Sequence, residues 1–296
     1  MPATKSPVPT ITLSDGTEIP QLGFGTLRVQ PDRAQSAANA EITAQVVGLA
    51  LEAGYRHLDT AQNYGNEQGV GRAIAESGIP RDELYVTSKL GDHNHRPDDV
   101  RRSFDQTLAN LGLDRLDLFL IHWPLPTEYG GDYVSTWKAM TDLVAEGRLG
   151  SAGVSNFQPA HLDRVIAETG IAPTVNQFEL HPYFANTAAR AGSNRHGVAI
   201  EAHSPLGHDG SPLRDAAIAR IAAARGKTVA QIILRWHIQH GHIVIPKSAR
   251  PERMAENLAV FDFGLTAAEI AAIDGLDRGA GGRVGPDPDA YAGQAR

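Results

Sequence analysis

Short apolar runs recur along this chain, and each is followed by a longer stretch in which apolar residues return every third or fourth position. The first pattern suits a buried strand and the second an amphipathic helix. Strands are predicted at 22–25, 55–59, 84–89, 116–122, 152–155, 174–179, 199–204 and 243–246. Between them, Ile42, Val46, Leu49 and Ala53 share one helical face, as do Val100, Phe104, Leu108 and Leu111 behind Pro97, a residue suited to a first helical turn. Trp137, Met140 and Val144 mark another helix, and Leu162, Val165 and Ile166 the next. Ile218, Ile221, Val229, Ile232, Ile233 and Trp236 fall on two segments either side of Gly226, and Thr266 with Glu269 forms a capping box. The segment 185–197 carries the faintest helical period.

Strand and helix alternating without a Gly- or Pro-rich linker predict one domain over 1–296, a (β/α)8 TIM barrel, in preference to a doubly wound open sheet. Residues 10–20 read as a hairpin: Ile11 and Leu13 alternate with polar residues, Asp15 and Gly16 make a turn, and Ile19 resumes the apolar face. Such a hairpin is expected to cap the barrel bottom. The tail 275–296, rich in Gly, Pro and Asp, is expected to form neither helix nor strand and to lie over the barrel surface.

Composition narrows the function. No apolar run approaches the roughly 18 residues of a membrane span, and the first residues lack a secretory apolar stretch. With no cysteine, disulfide scaffolds, Cys-bound zinc and thiol nucleophiles are excluded. A net charge of -7 without a cluster of Lys and Arg argues against nucleic acid. A cytoplasmic, monomeric protein acting on a small molecule is expected.

Several motif fragments fail on inspection. Lys227 and Thr228 after Gly226 resemble the end of a phosphate loop, but Ile221 stands where that loop needs Gly. The hydrolase elbow suggested by Gly153 and Ser155 ends in Phe157 instead of Gly. Neither Gly23 with Gly25 nor Gly69 with Gly71 completes a dinucleotide fingerprint. The pairs His93 with His95 and His240 with His242 lack a suitably spaced carboxylate, so they read as solvated loop histidines and no metal is expected; His181 reads as a structural loop residue.

Asp59, Tyr64, Lys89 and His122 stand at or just past the ends of three consecutive strands, where a barrel places its active site. A phenol of ordinary pKa about 10 is a poor acid near neutrality, and an adjacent ammonium favours its phenolate. Lys89 fills that need, Asp59 holds Lys89, and His122 is placed to bond a carbonyl oxygen. The plainer alternative is a structural Asp59–Lys89 ion pair with two bystanders. Further on, Lys247 and Ser248 end the last strand, Pro251 opens a helix, and Arg253 lies on its first turn, a combination suited to one phosphate.

These residues, with the segments 19–26, 54–67, 86–89, 116–124, 153–157, 175–182, 201–206 and 245–257, make the chain resemble the aldo-keto reductase superfamily over nearly its whole length, most closely its bacterial 2,5-diketo-gluconate reductase branch. The resemblance implies NADPH bound without a Rossmann fold, with Tyr64 as general acid tuned by Lys89 and Asp59, and His122 positioning the carbonyl. It also implies Ser155, Asn156 and Gln177 at the nicotinamide carboxamide, and Thr26, Ser204 and Leu206 along the cofactor. Lys247, Ser248 and Arg253 would then take a 2'-phosphate, with Glu256 and Asn257 near adenine. A catalytically weak NADP(H)-binding accessory or sensor protein on the same barrel is the alternative, and a metal-dependent barrel hydrolase a third. His203 replaces the usual aromatic ring beside the nicotinamide. Gly91 replaces a Trp and Leu27 an aromatic, so a roomier substrate pocket is expected, with Leu27, Gly91 and Trp123 as its residues. The stretch 29–42 is a few residues longer than in close relatives.

Overall fold

The computed structural model describes residues 8–293. A two-stranded antiparallel hairpin, β1 (Thr10–Thr12) with β2 (Glu18–Pro20), precedes eight parallel strands. These are β3 (Phe24–Gly25), β4 (His57–Asp59), β5 (Tyr85–Leu90), β6 (Leu116–Ile121), β7 (Leu149–Ser155), β8 (Val175–Glu179), β9 (Ala199–His203) and β10 (Ile243–Val244). They pair strictly in chain order, and a bridge from Leu22 to Val244, with Gly23 N–H donating to the Val244 carbonyl at 2.8 Å, joins the last strand to the first. The architecture is a (β/α)8 barrel.

Each predicted strand is present, shortened where a strand end is held by single bonds to its neighbour, as in β3 and β10. The helix Ala37–Ala53 turns a face offset by one position from the predicted stripe: Thr43, Val47, Ala50 and Leu51 are buried, while Val46 and Leu49 only flank them. Small and polar residues carry that contact, so apolar periodicity missed its centre. The faint segment forms the helix Thr187–Arg195.

Two apolar clusters result. The larger lies between strands and helices and includes Phe24, Phe104, Phe119, Trp137, Phe157 and Trp236. The smaller fills the barrel floor, where Leu13 and Ile19 of the hairpin pack on Leu118, Leu120, Val175 and Ile243, each buried side chain contributing about 1.5–3 kcal/mol. Thr17 and Asp15 also bond Ser151 at 2.9 and 2.6 Å, seating the hairpin.

The tail is more ordered than its composition suggests. It makes a 3-10 turn at Gly279–Gly282, and a side chain at 282 would run into the Tyr183 carbonyl, so only Gly lets it lie this close. Val284 and Gly285 then donate their N–H groups to the two Glu179 carboxylate oxygens, both at 2.8 Å. This strap crosses the end of the barrel at which the strands terminate.

Candidate active site

The end of β4 leads into a 3-10 turn, Gln62–Tyr64, which aims Tyr64 back over the strand ends. Gly65 follows with φ 71, and a Cβ there would meet the Arg33 carbonyl, so Gly is required by both conformation and space. Gln30 donates to the Tyr64 carbonyl at 2.7 Å and Asn66 to Gln30 at 3.2 Å, tying the 29–36 loop to this turn.

Lys89, on β5, is fully buried beneath Tyr64. Its Nζ donates to Asp59 Oδ1 at 2.5 Å, to the Thr60 carbonyl at 3.0 Å and to the Tyr64 hydroxyl at 3.2 Å, which completes the valence of an ammonium. Burial, the largest influence, works against the charge, but Asp59 and Tyr64 together outweigh it and the Lys89 pKa is raised. For Tyr64, burial raises the pKa, Lys89 lowers it and Asp59 raises it; the net direction is upward. The expectation of a phenol brought down by its neighbour thus holds for the Lys89 contribution alone, because a sealed site charges more for the phenolate than one ammonium returns.

His122, one residue past β6, meets Tyr64 edge to face at 5.7 Å between ring centres. Its pKa lies well below the ordinary value through burial and the Lys89 charge, so the ring is neutral. Asn63 Nδ2 lies 3.5 Å from Nδ1, which assigns the proton to Nε2.

A cavity of about 650 Å³ opens over these groups, lined by Tyr64, His122, Asn156, Gln177, His203 and Lys247 among others. Asn156 and Ser204 follow β7 and β9 with left-handed φ values of 63 and 53. Asn156 donates to the His122 carbonyl at 2.9 Å and its Oδ1 lies 3.1 Å from His203 Nε2, while His203 Nδ1 lies 3.2 Å from the Ser204 hydroxyl. Burial holds the His203 pKa near 4, and the ring is neutral. Leu27, Trp123 and Leu206 also face the cavity.

Other predicted residues sit behind or beyond it. Thr26 is buried and donates to the Asp59 carbonyl at 2.9 Å; Ser155 is buried and accepts from Asn156 at 3.1 Å. Beyond Lys247, Ser248 accepts the Arg250 N–H at 3.0 Å and so ties the turn before the helix Pro251–Leu258. Arg253 and the half-buried Glu256 lie on that helix, and Asn257 is buried against the Tyr55 phenol. Among the described residues neither Lys247 nor Arg253 has a carboxylate partner.

Gly91 is not on the cavity wall. Its N–H donates to Gln62 at 2.7 Å, and a Cβ there would meet Gln62 and Asn63. The aromatic wall comes from the tail: Tyr291 packs on Trp123 with ring centres 4.3 Å apart and donates to Asp92 at 2.9 Å. The histidine pairs also differ from expectation: His95 is buried and stacked on Tyr129, and His242 is buried against Trp236, while His93 is exposed. His181, 3.1 Å from Glu179, is a loop element under the strap. Sequence reasoning missed Arg28, Arg33 and Tyr291, which line the cavity, and Glu201, which the structure sets in register with Gln177 on the next strand.

The model of the Aldo/keto reductase family matches residues 21–278. The chain belongs to this family. It is 48% identical over 283 residues to an aldo-keto reductase of Mycolicibacterium smegmatis, covering 96% of this chain and 98% of the relative. It is 44% identical over 285 residues to the methylglyoxal reductase DkgA of Salmonella typhimurium, with coverage of 96% and 98%. Among solved structures, a Gox0644 mutant in complex with NADPH superposes with a TM-score of 0.88 at 41% identity, over 97% of this chain and 99% of that one.

Proposed function

We propose that the chain is an NADPH-dependent reductase of aldehydes and ketones, with Tyr64 as the general acid. The observation that carries this reading is the Tyr64 hydroxyl, 3.2 Å from an ammonium that is itself 2.5 Å from Asp59, at the base of a cavity reaching to Lys247. Structural ion pairs need no phenol on the ammonium, nor a neutral imidazole beside it.

The residues suit the cofactor. Amide groups of Asn156 and Gln177 lie at the deep end, as a carboxamide requires, and the uncompensated Lys247 and Arg253 with the helix N-terminus at Pro251 suit a phosphate at the other. Bound NADPH supplies a hydride to the carbonyl carbon. The protein's part is to hold the carbonyl oxygen between His122 Nε2–H and the Tyr64 hydroxyl, and to move the Tyr64 proton onto that oxygen as negative charge gathers there. A raised pKa keeps the phenol protonated at neutral pH, and Lys89 stabilises the phenolate that forms. Trp123, Leu27 and Tyr291 form the substrate walls.

Tyr64→Phe tests the assignment. The variant is expected to bind NADPH, by quenching of protein fluorescence, and to lose carbonyl reduction by at least about a hundredfold. Turnover comparable with the parent would sink the role of Tyr64. NADPH binding without consumption by the parent protein across a broad panel of aldehydes, ketones and keto sugars would favour the sensor reading.

A further inference from the structure

Beneath the cavity lies a buried carboxyl that the mechanism above does not use. Glu201, the middle residue of β9, is paired in register with Gln177 of β8, so their side chains lie side by side inside the barrel. Gln177 Nε2 donates to Asp59 Oδ2 at 2.9 Å and to Glu201 Oε2 at 2.9 Å. Both amide protons are then committed, and the group Gln177 can offer the cavity is its Oε1 acceptor.

We propose that Glu201 is a positioning residue: from below it locks the Gln177 amide so that an acceptor faces the carboxamide of the cofactor and a donor supports Asp59. This rests on the reading of the cavity as an NADPH site. Three carboxyl and ammonium groups share the layer, and a single ammonium, Lys89, sits on Asp59; a second carboxylate there would be uncompensated. The groups facing Glu201 are Asp59 and His57 from β4, Lys89 and Tyr85 from β5, and Gln177. His57 Nε2 is 3.8 Å from Glu201 Oε1, too far for a hydrogen bond, and burial holds the ring neutral with a pKa near 3. Among the described residues Glu201 Oε1 has no hydrogen-bond partner. The Gln177 hydrogen bond and the Lys89 charge favour a carboxylate, but burial, followed by the Asp59 charge, outweighs them and pushes the Glu201 carboxyl up to about 8. As the neutral acid it still accepts one Gln177 proton.

Two substitutions separate the roles. Glu201→Gln retains an acceptor for Gln177 and removes the titration; Glu201→Leu removes the acceptor and frees the amide to turn. NADPH affinity, read by fluorescence at pH 6, is expected to stay within about twofold of the parent in E201Q, which keeps the acceptor, and to fall about tenfold in E201L, which loses it. Unchanged affinity in folded E201L, or an equal loss in folded E201Q, would overturn the proposal. Infrared titration without cofactor gives a second arm: a protonated-carboxyl band present at pH 6 and lost near pH 8, absent from E201Q. Absence of that band in the parent protein refutes a protonated Glu201 whatever the cofactor proves to be. No NADPH binding by a parent protein that shows the band refutes the cofactor reading and, with it, the positioning role.

Discussion

Replacing Glu201 by Gln should make this protein more stable, and more so as pH rises. The native state holds a proton on Glu201 up to about pH 8, whereas the unfolded chain releases it near the ordinary value of 4.5. The unfolded state therefore binds fewer protons throughout that window, and stability falls with pH across it; below pH 4.5 the group costs nothing, and above 8 the loss is complete. At about 1.36 kcal/mol per pKa unit, the accumulated loss at pH 7 reaches up to about 3 kcal/mol. E201Q keeps the hydrogen bond to Gln177 without a titrating group, so it escapes that loss. Urea unfolding of both proteins at pH 5 and pH 8 measures it: the two midpoints should nearly coincide at the lower pH and diverge at the higher, with equal denaturant slopes. Parallel stability curves would show that Glu201 is ionised in the native protein, and the account of the buried layer would fail. A loss of stability in E201Q that grows with pH would contradict it outright.

Other outcomes follow from the same structure. Lys89→Met should leave Asp59 buried without its ammonium and destabilise the fold by about 3–5 kcal/mol, read by denaturant unfolding, while removing reduction. Arg253→Ala should weaken NADPH by roughly tenfold or more while leaving NADH almost unaffected, and equal weakening of both would refute a 2'-phosphate contact. Burial alone would raise the Glu179 carboxyl, but His181 and the Val284 and Gly285 N–H groups hold it near 2; the strap's contribution is present above pH 4.5 and lost as pH falls toward 2, so limited proteolysis should cut the tail of a Glu179→Ala variant at neutral pH and spare the parent. Gly65→Ala should destabilise by at least about 1 kcal/mol, since it adds a left-handed φ and a clash with the Arg33 carbonyl; an unchanged thermal midpoint would mean that the 29–36 loop is not held on this turn.

The apolar runs and the helical period placed all eight barrel strands, because a strand buried on both faces must be apolar throughout and its crossover helix must bury one stripe. The strand ends then located Asp59, Tyr64, Lys89 and His122, since a barrel brings the carboxyl ends of its strands to one face whatever the loops do. Contacts between elements distant in sequence leave no such trace in the chain. Tyr291 reaches Trp123 only because the tail is strapped to Glu179, and no periodicity marks a segment held by backbone N–H groups. Position 91 looked like a missing wall because its neighbours in space, Gln62 and Asn63, lie on another loop. The buried layer of Asp59, Gln177 and Glu201 depends on register across β4, β8 and β9, and the direction of the Tyr64 pKa on how completely that layer excludes water. The sequence by itself determined the barrel and which residues reach its mouth, because both follow from local periodicity. Tertiary structure alone decided the protonation states, the pocket walls and the strap, because each is set by desolvation and by contacts between segments far apart in the chain.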